Sequence, residues 1–315
     1  MDHLLATTDW HIVGIDSFRH KGLTDRIRYS RLYQQNRSRV TILSHDCSVP
    51  FSRVLEVDIG PVQAIVNMAS ETHVDRSLDD PVQFVYNNVH LAVEVLEYAR
   101  RVEPEIVIQV STDEVYGPVR DGQLHAEWAP ILPSNPYSAS KACQESIAIG
   151  YWRSYGVPVV ITNTMNMFGE YQDPEKFVPK ALRLLLAAQV VPVHATSGEI
   201  GTRCWLHARN YADAIRFLIE RPVTRYPEAE RPDRYNVVGE RYSNLEIVER
   251  LATVTGLALE YEFMDYHARR TGHDLHYGLD GGKLSGLGWT PPVVFADSLE
   301  RTALWYQENP IWLEV

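Results

Sequence analysis

Cysteine is scarce. The 315 residues hold three, Cys47, Cys143 and Cys204, far apart and without a CxxC or Cys/His cluster. That excludes a disulfide framework and a zinc site as organising elements. Long apolar runs are also missing: none approaches the roughly 18 residues that a membrane helix needs, and no secretory signal opens the chain. Basic charge is in deficit, with 30 Lys and Arg against 41 Asp and Glu and a formal net charge of -11. The basic stripe of a general nucleic-acid binder is not there. Internal repeats and low-complexity tracts are lacking too. What remains is an ordinary globular balance, 45% apolar and 23% charged, in a length that suits one large domain carrying a smaller lobe. The expectation is a soluble cytoplasmic protein with no metal, no membrane segment and no nucleic-acid partner.

The first two thirds alternate short apolar runs with longer amphipathic stretches. The strand candidates are His11–Ile15, Val40–Leu43, Ala64–Met68, Ile106–Val110 and Val157–Ile161. Their polarity is continuous rather than alternating, as in strands buried on both faces of a parallel sheet. Asp80-Pro81 reads as a helix start, Asp as cap and Pro in the first turn. Val82, Val85, Val89, Ala92, Val93 and Leu96 then recur at helical spacing. A second helix is predicted from Tyr137 to Tyr155, closed by Gly156. The alternation implies a doubly wound, mostly parallel α/β sheet. After about residue 170 prolines break the rhythm, and residues 221–234 read as a solvated connection. The C-terminal stretch mixes short helices with turns such as Asp280-Gly281-Gly282.

Two segments carry chemistry. In Tyr137-Ser-Ala-Ser-Lys141 the phenol and the ammonium lie four apart, on one helix face. A nearby cation favours phenolate and lowers a tyrosine pKa from about 10, which suits removal of a hydroxyl proton as hydride leaves the same carbon. The pair by itself also fits an exposed helix surface. Ser111-Thr112-Asp113-Glu114-Val115-Tyr116-Gly117 follows an apolar strand, where ligands bind in such sheets. Adjacent carboxyls there can divide into a protonated donor and an ionised base; a turn or helix cap is the alternative.

STDEVYG followed by YSASK resembles the extended short-chain dehydrogenase/reductases, and among them the dTDP-glucose 4,6-dehydratase family. The resemblance covers nearly the whole chain. VGIDSFRHKG (13–22) resembles the adenosine-ribose segment, HDC (45–47) the adenine-side motif, and NMASETHVDRS (67–77) the AAESHVDRS stretch. NMFGEYQDPEKFVP (166–179) resembles NNYGPYQFPEKLIP, which closes over the nucleotide sugar. RCWLH (203–207), YNVVG (235–239) and RTGHDLHY (270–277) resemble substrate-lobe motifs.

The resemblance implies a Rossmann-type NAD domain over residues 1–165, a helix and strand near 207–239 returning to it, and a nucleotide-sugar lobe over 166–315. It implies C4 oxidation with Tyr137 as base and Lys141 holding the ribose. Elimination of water follows, with Glu114 as C5 base and Asp113 as acid to the 6-hydroxyl, before reduction at C6. Thr112 would bind the 4-oxygen. Asp16, Ser17, Phe18 and Arg19 would meet the ribose, and Asp46 and Cys47 the adenine, the cysteine through its backbone. Met68, Ala69, Ser70, Glu71, Thr72 and Asn87 would line the dinucleotide. Thr72, Asn166, Lys176, Phe177, Pro192, His194, Arg203, Asn236 and Arg270 would take the nucleotide sugar. A homodimer built on the two long helices is implied as well, with Val95, Ile147, Tyr151 and Trp152 as apolar residues beyond one core stripe.

The chain departs from the pattern in one large respect. The family opens with a strand and a GxxGxxG turn whose amides cradle the pyrophosphate. Here the first glycine is Gly14, and Leu4-Leu5-Ala6 resembles the tail of the helix that follows the glycines. Roughly twenty residues of the pattern are expected to be missing, and with them the middle strand, leaving strand edges exposed. Asn163 stands where the family has arginine, Met167 at the second asparagine beside the nicotinamide, and His194 at a position often held by tyrosine. These bear on the base and the sugar, with dTDP, UDP or CDP as carrier. An epimerase needs only the tyrosine and has no use for the Asp-Glu pair. A non-catalytic remnant that binds nucleotide sugar would suit the missing glycines.

Overall fold

A computed structural model describes residues 1–19, 23–119, 122–196, 199–265 and 274–314. The chain divides into two compact units. The first comprises Met1–Val115, Pro130–Asn163 and Ala212–Tyr235; the second comprises Tyr116–Ala129, Thr164–Tyr211 and Asn236–Val315. No described helix is long and apolar enough to cross a membrane.

The first unit contains β1 (Ile12–Asp16), β2 (Val40–Ser44), β3 (Ala64–Asn67), β4 (Ile106–Thr112) and β5 (Val159–Thr164). The continuous apolar runs become strands, as expected for an α/β fold. Every residue of β4 and β5 is buried. The ends shift. β4 runs two residues past Val110, because the polar Ser111 and Thr112 are themselves buried. β5 starts later than predicted, since Gly156 turns the chain with φ 69° before it can extend. Counting the later strands β6 (Met167–Phe168), β7 (Val191–Thr196), β8 (Glu199–Ile200), β9 (Thr202–His207) and β10 (Asp233–Val237), the larger sheet has the order β10-β5-β4-β3.

β1 and β2 form a separate parallel pair, Ile12 opposite Val40 and Asp16 opposite Ser44. Among the described residues β1 pairs with β2 alone and β3 with β4 alone, so each keeps one edge without a strand, as the sequence implies. Their side chains are accordingly half-buried where those of β4 are buried. Both sheets rest on one apolar cluster. Val13 and Ile15 of β1, Leu43 of β2 and Ile65 of β3 pack with Phe51, Ile59, Val95 and Tyr98.

Two helices flank the site. Pro81–Val102 starts where Asp80 accepts from the Gln83 N–H at 3.2 Å. Pro136–Tyr155 starts one residue before the prediction, in a capping box: Asn135 accepts from the Ser138 N–H at 2.9 Å, and Ser138 Oγ from the Asn135 N–H at 3.1 Å. Leu96, Ala99, Ala148 and Trp152 from these helices close over Val107, Val159 and Ile161. Two residues expected beyond the core stripe, Val95 and Trp152, are therefore core residues. Tyr151 donates to Glu97 at 2.6 Å.

The segment 221–234 is less solvated than its composition suggests. Trp152 Nε1 donates to the Thr224 carbonyl at 3.0 Å, and Arg234 is 1% exposed.

In the second unit β9 lies between β6 and β11 (Glu240–Ser243), and β7 between β8 and β12 (Tyr261–Met264). A separate core gathers Phe168, Leu182, Trp205, Leu251 and Tyr306. Gly239 is required there, because a Cβ would collide with the backbone carbonyl of Trp205.

Candidate active site

The carboxyl end of β4 delivers Thr112, and a 3-10 turn over Asp113–Tyr116 follows at once. Thr112 Oγ1 donates to Asp113 Oδ1 at 2.9 Å and accepts from the Glu114 N–H at 3.4 Å. Asp113 is 5% exposed. Glu114 Oε2 accepts from Asn135 Nδ2 at 3.2 Å, so the residue that caps the helix also orients one of the two carboxylates.

Tyr137 is the second residue of that helix and Lys141 lies one turn further on, both buried. Burial pushes the Tyr137 phenol far up, Glu114 and then Asp113 adding to this, while a hydrogen bond with Thr112 opposes it. Sequence reasoning has the neighbouring cation lowering this phenol; in the structure burial and carboxylate charge prevail. The Lys141 ammonium instead donates to the Val110 carbonyl at 2.7 Å and to Gln144 Oε1 at 2.6 Å. Burial lowers its pKa to about 8, against an upward pull from Glu145.

A second buried network braces β4. Asn163 Nδ2 donates to the Thr112 carbonyl at 2.9 Å and to Glu145 Oε1 at 2.8 Å. Glu145 Oε2 pairs with Arg234 at 2.6 Å, the two side chains 0% and 1% exposed. Sequence reasoning singled out Asn163 only as a departure and missed Glu145, Arg234 and Gln144. The signal within reach was Glu145, four residues from Lys141 on the same helix face.

At the ends of β1 and β2 the nucleotide-type residues also assemble. Phe18 adopts φ 52°, and its N–H donates to Asp16 Oδ1 at 2.8 Å. Arg19 lies 3.4 Å from Asp46 Oδ2 and donates to Asn87 Oδ1 at 3.5 Å. Asp46 is held below the usual carboxylate range by hydrogen bonds from Ser48. Burial, with Asp16 and Asp46 adding, raises the Cys47 thiol to about 11, which agrees with a cysteine that is no nucleophile. Asn88 fastens the loop that carries Met68 to Thr72. Its Oδ1 accepts from the Glu71 N–H at 2.8 Å, and its Nδ2 donates to Ser140 Oγ at 2.8 Å.

These residues fit the two ribose ends of a dinucleotide. A carboxylate stands at the end of β1, a phenol and an ammonium stand beside β4, and the buried Ser111 Oγ has no hydrogen-bond partner among the described residues. A glycine-rich pyrophosphate turn is not in the sequence.

In the second unit Lys176 caps the helix Phe177–Leu186, and Pro192 and His194 lie on β7. Asn166 immediately precedes β6, and Phe177 packs against Trp205 with ring centroids 5.4 Å apart. The Arg203 guanidinium lies over the Tyr277 ring, 4.6 Å from its centroid, and donates to the Thr202 carbonyl at 2.9 Å and the Asp274 carbonyl at 2.7 Å. Both Asn236 amide hydrogens are engaged, by the carbonyls of His125 and Asp280 at 3.0 Å each. Arg270 lies outside the described residues.

Residues 2–237 match the NAD dependent epimerase/dehydratase family. The chain belongs to this family. Within it, the chain is 34% identical to a dTDP-glucose 4,6-dehydratase of Streptomyces niveus over 80% of its own length and 72% of that protein's. It is 30% identical to the dTDP-glucose 4,6-dehydratase of Salmonella typhimurium over 99% of its length and 90% of that protein's. The crystal structure of a dTDP-glucose 4,6-dehydratase from Bacillus anthracis, in complex with NAD, superposes with a TM-score of 0.82 at 27% identity, covering 98% of this chain and 92% of that one.

Proposed function

We propose that the chain is an NAD-dependent nucleotide-sugar 4,6-dehydratase, acting on dTDP-glucose to give the 4-keto-6-deoxy sugar. The observation that carries this reading is the grouping of Asp113, Glu114 and Tyr137 about Thr112, which brings together an acid and a base for the elimination and a phenol to move the hydroxyl proton in the oxidation. Bound NAD supplies the hydride acceptor for C4 and returns the hydride at C6. Tyr137 takes the 4-hydroxyl proton as its phenolate, and Thr112 holds the 4-oxygen. Burial and the two carboxylates disfavour that phenolate in the free chain, and it needs the positive charge of Lys141 and of the bound cofactor to be populated. Lys141, with its buried ammonium, compensates charge on the phenol side. The resulting 4-ketone acidifies C5. Glu114, steadied by Asn135, removes the C5 proton, and the buried Asp113 protonates the departing 6-hydroxyl.

Asp16, Ser17, Phe18, Arg19, Asp46, Asn87 and the Met68–Thr72 loop hold the dinucleotide, and residues 166–315 take the nucleotide sugar through Lys176, Arg203 and their neighbours. An epimerase would leave the acidic pair idle. The same reading makes the protein a cytoplasmic homodimer, with the exposed Val82 and Tyr86 of helix Pro81–Val102 at the interface.

The test uses dTDP-glucose carrying deuterium at C4, with NAD. A dehydratase yields a product lighter by one water, with the deuterium moved to C6. Run in D2O with unlabelled sugar, it places one deuterium at C5. Label that returns to C4 in an epimerised sugar, or no turnover of dTDP-, UDP- or CDP-glucose, refutes the reading.

A further inference from the structure

Lys141 carries three N–H donors, and two are committed inside the protein, to the Val110 carbonyl and to Gln144 Oε1. The direction of the Gln144 amide is set by its surroundings. Its Nε2 donates to the Asn88 carbonyl at 2.7 Å, while Gln109 Nε2 approaches Oε1 at 3.3 Å. Gln109 is aligned in turn by Asn67 Nδ2, which donates to its Oε1 at 2.9 Å. Turning the Gln144 amide over would set N–H against the ammonium and against Gln109, and carbonyl against carbonyl at Asn88. Asn88, Gln109 and Gln144 are all 0% exposed and Asn67 is 3%, so no water competes for these groups.

We infer that Gln144 is a positioning residue that pins the Lys141 ammonium in the site and leaves its remaining N–H for the reacting side. The inference rests on Tyr137 and Lys141 as the working pair. A neutral amide oxygen in a dry pocket supports the cation without adding a competing charge. The charged group that acts on Lys141 is Glu145 of the same helix, itself paired with Arg234 of β10. From the other elements packed around it, β4 contributes Gln109 and the Val110 carbonyl, helix Pro81–Val102 contributes Asn88, and β3 contributes Asn67, all neutral. Tyr137 stands one turn before Lys141, with Asp113 and Glu114 acting on that phenol.

The sequence has five lysines, Lys21, Lys141, Lys176, Lys180 and Lys283, so lysine labelled with 13C at Cε gives few enough signals to titrate each by NMR. Loss of one signal in Lys141→Arg assigns it. In the full chain Lys141 titrates below the ordinary lysine range, near 8. Gln144→Met, which removes the acceptor, moves that titration lower by about one pH unit, a tenfold change in proton affinity. Gln144→Glu, which adds a charge at the same size, moves it higher. With dTDP-glucose and NAD, Gln144→Met lowers kcat about tenfold or more while KM stays near wild type, and the alkaline limb of the pH profile follows the NMR shift. Shifts of the same sign in both variants, or none, overturn the inference. If Gln144→Met does not fold, the upward shift in Gln144→Glu decides alone. A wild-type chain without dehydratase activity defeats the proposed function, yet the titration still decides the role of Gln144.

Discussion

Arg234 and Glu145 form an ion pair at 2.6 Å with side chains 1% and 0% exposed, so breaking it on one side strands a charge where water cannot reach. Arg234→Met leaves the Glu145 carboxylate with a single neutral donor, Asn163 Nδ2 at 2.8 Å. A buried pair broken in this way costs about 3–5 kcal/mol. Glu145→Leu removes the carboxylate partner of the buried guanidinium and loses a similar amount. In the double variant neither charge remains. The residual loss is the Asn163 bond to Glu145, about 1 kcal/mol, because Asn163 keeps its bond to the Thr112 carbonyl. Each single loss therefore exceeds the double by at least about 2 kcal/mol, and their sum exceeds it by at least about 5 kcal/mol, the mark of direct coupling. Equilibrium urea denaturation of the wild type, both singles and the double, followed by circular dichroism, measures it. A loss below about 1 kcal/mol in Arg234→Met, or singles that simply add, would refute the reasoning.

Three other outcomes follow from the geometry. Glu114→Gln lowers kcat by about 10²–10⁴-fold, and it abolishes deuterium uptake at C5 in D2O while reduction of bound NAD by substrate still occurs, seen by NADH absorbance. Iodoacetamide at pH 8 labels the exposed Cys143 first in peptide mass spectra, with Cys47 and the buried Cys204 far slower; a thiol raised to about 11 is only about a thousandth thiolate at that pH. Glu170 gives a pH signature. Burial pushes its carboxyl up, but the hydrogen bond and charge of His207, with Arg301 beyond, outweigh this and bring it to about 2. A depressed carboxyl stabilises the fold above its unfolded pKa of about 4.3 and loses that contribution as pH falls toward 2, up to about 3 kcal/mol in all. Denaturation midpoints of Glu170→Gln therefore lie below wild type at pH 7 and converge on it near pH 2.

Much of the first unit was legible because its signals are local. Short Val/Ile-rich runs bounded by turn residues read as strands, though of these only β4 and β5 are wholly buried, and Asp80-Pro81 marks a helix start from its own two residues. The acidic turn and YxxxK were legible as chemistry for the same reason, each lying within a few residues. The end of β4 was not. Ser111 and Thr112 look like loop residues until the strand's burial is known. Asn163, Glu145 and Arg234 were hidden because their partners are remote in sequence. Thr112 and Asn163 are 51 residues apart, Glu145 and Arg234 are 89, and no periodicity links such positions. Arg234 sat at the end of a stretch rich in Pro, Arg and Glu, whose composition speaks for solvent. The environment of Tyr137 was misjudged on a related ground. Spacing brings a lysine to the same face, but only the packed structure reveals that the ammonium turns to Val110 and Gln144 while burial governs the phenol.

The two-stranded pair β1–β2 meets the rest of its unit through side chains alone among the described residues, with no backbone ladder joining it to β3. Side-chain contacts of this kind melt in smaller cooperative steps than a continuous sheet. Asp16 and Asp46 ride on that pair, so the residues proposed for the adenosine end of the site lie on or just beyond half-buried strands, while Thr112 and Tyr137 lie on or beside the fully buried β4. A ligand spanning both parts then acts as a clasp. Whatever it gains by binding is shared with local folding of β1–β2, and its affinity carries the opening equilibrium of that pair within it.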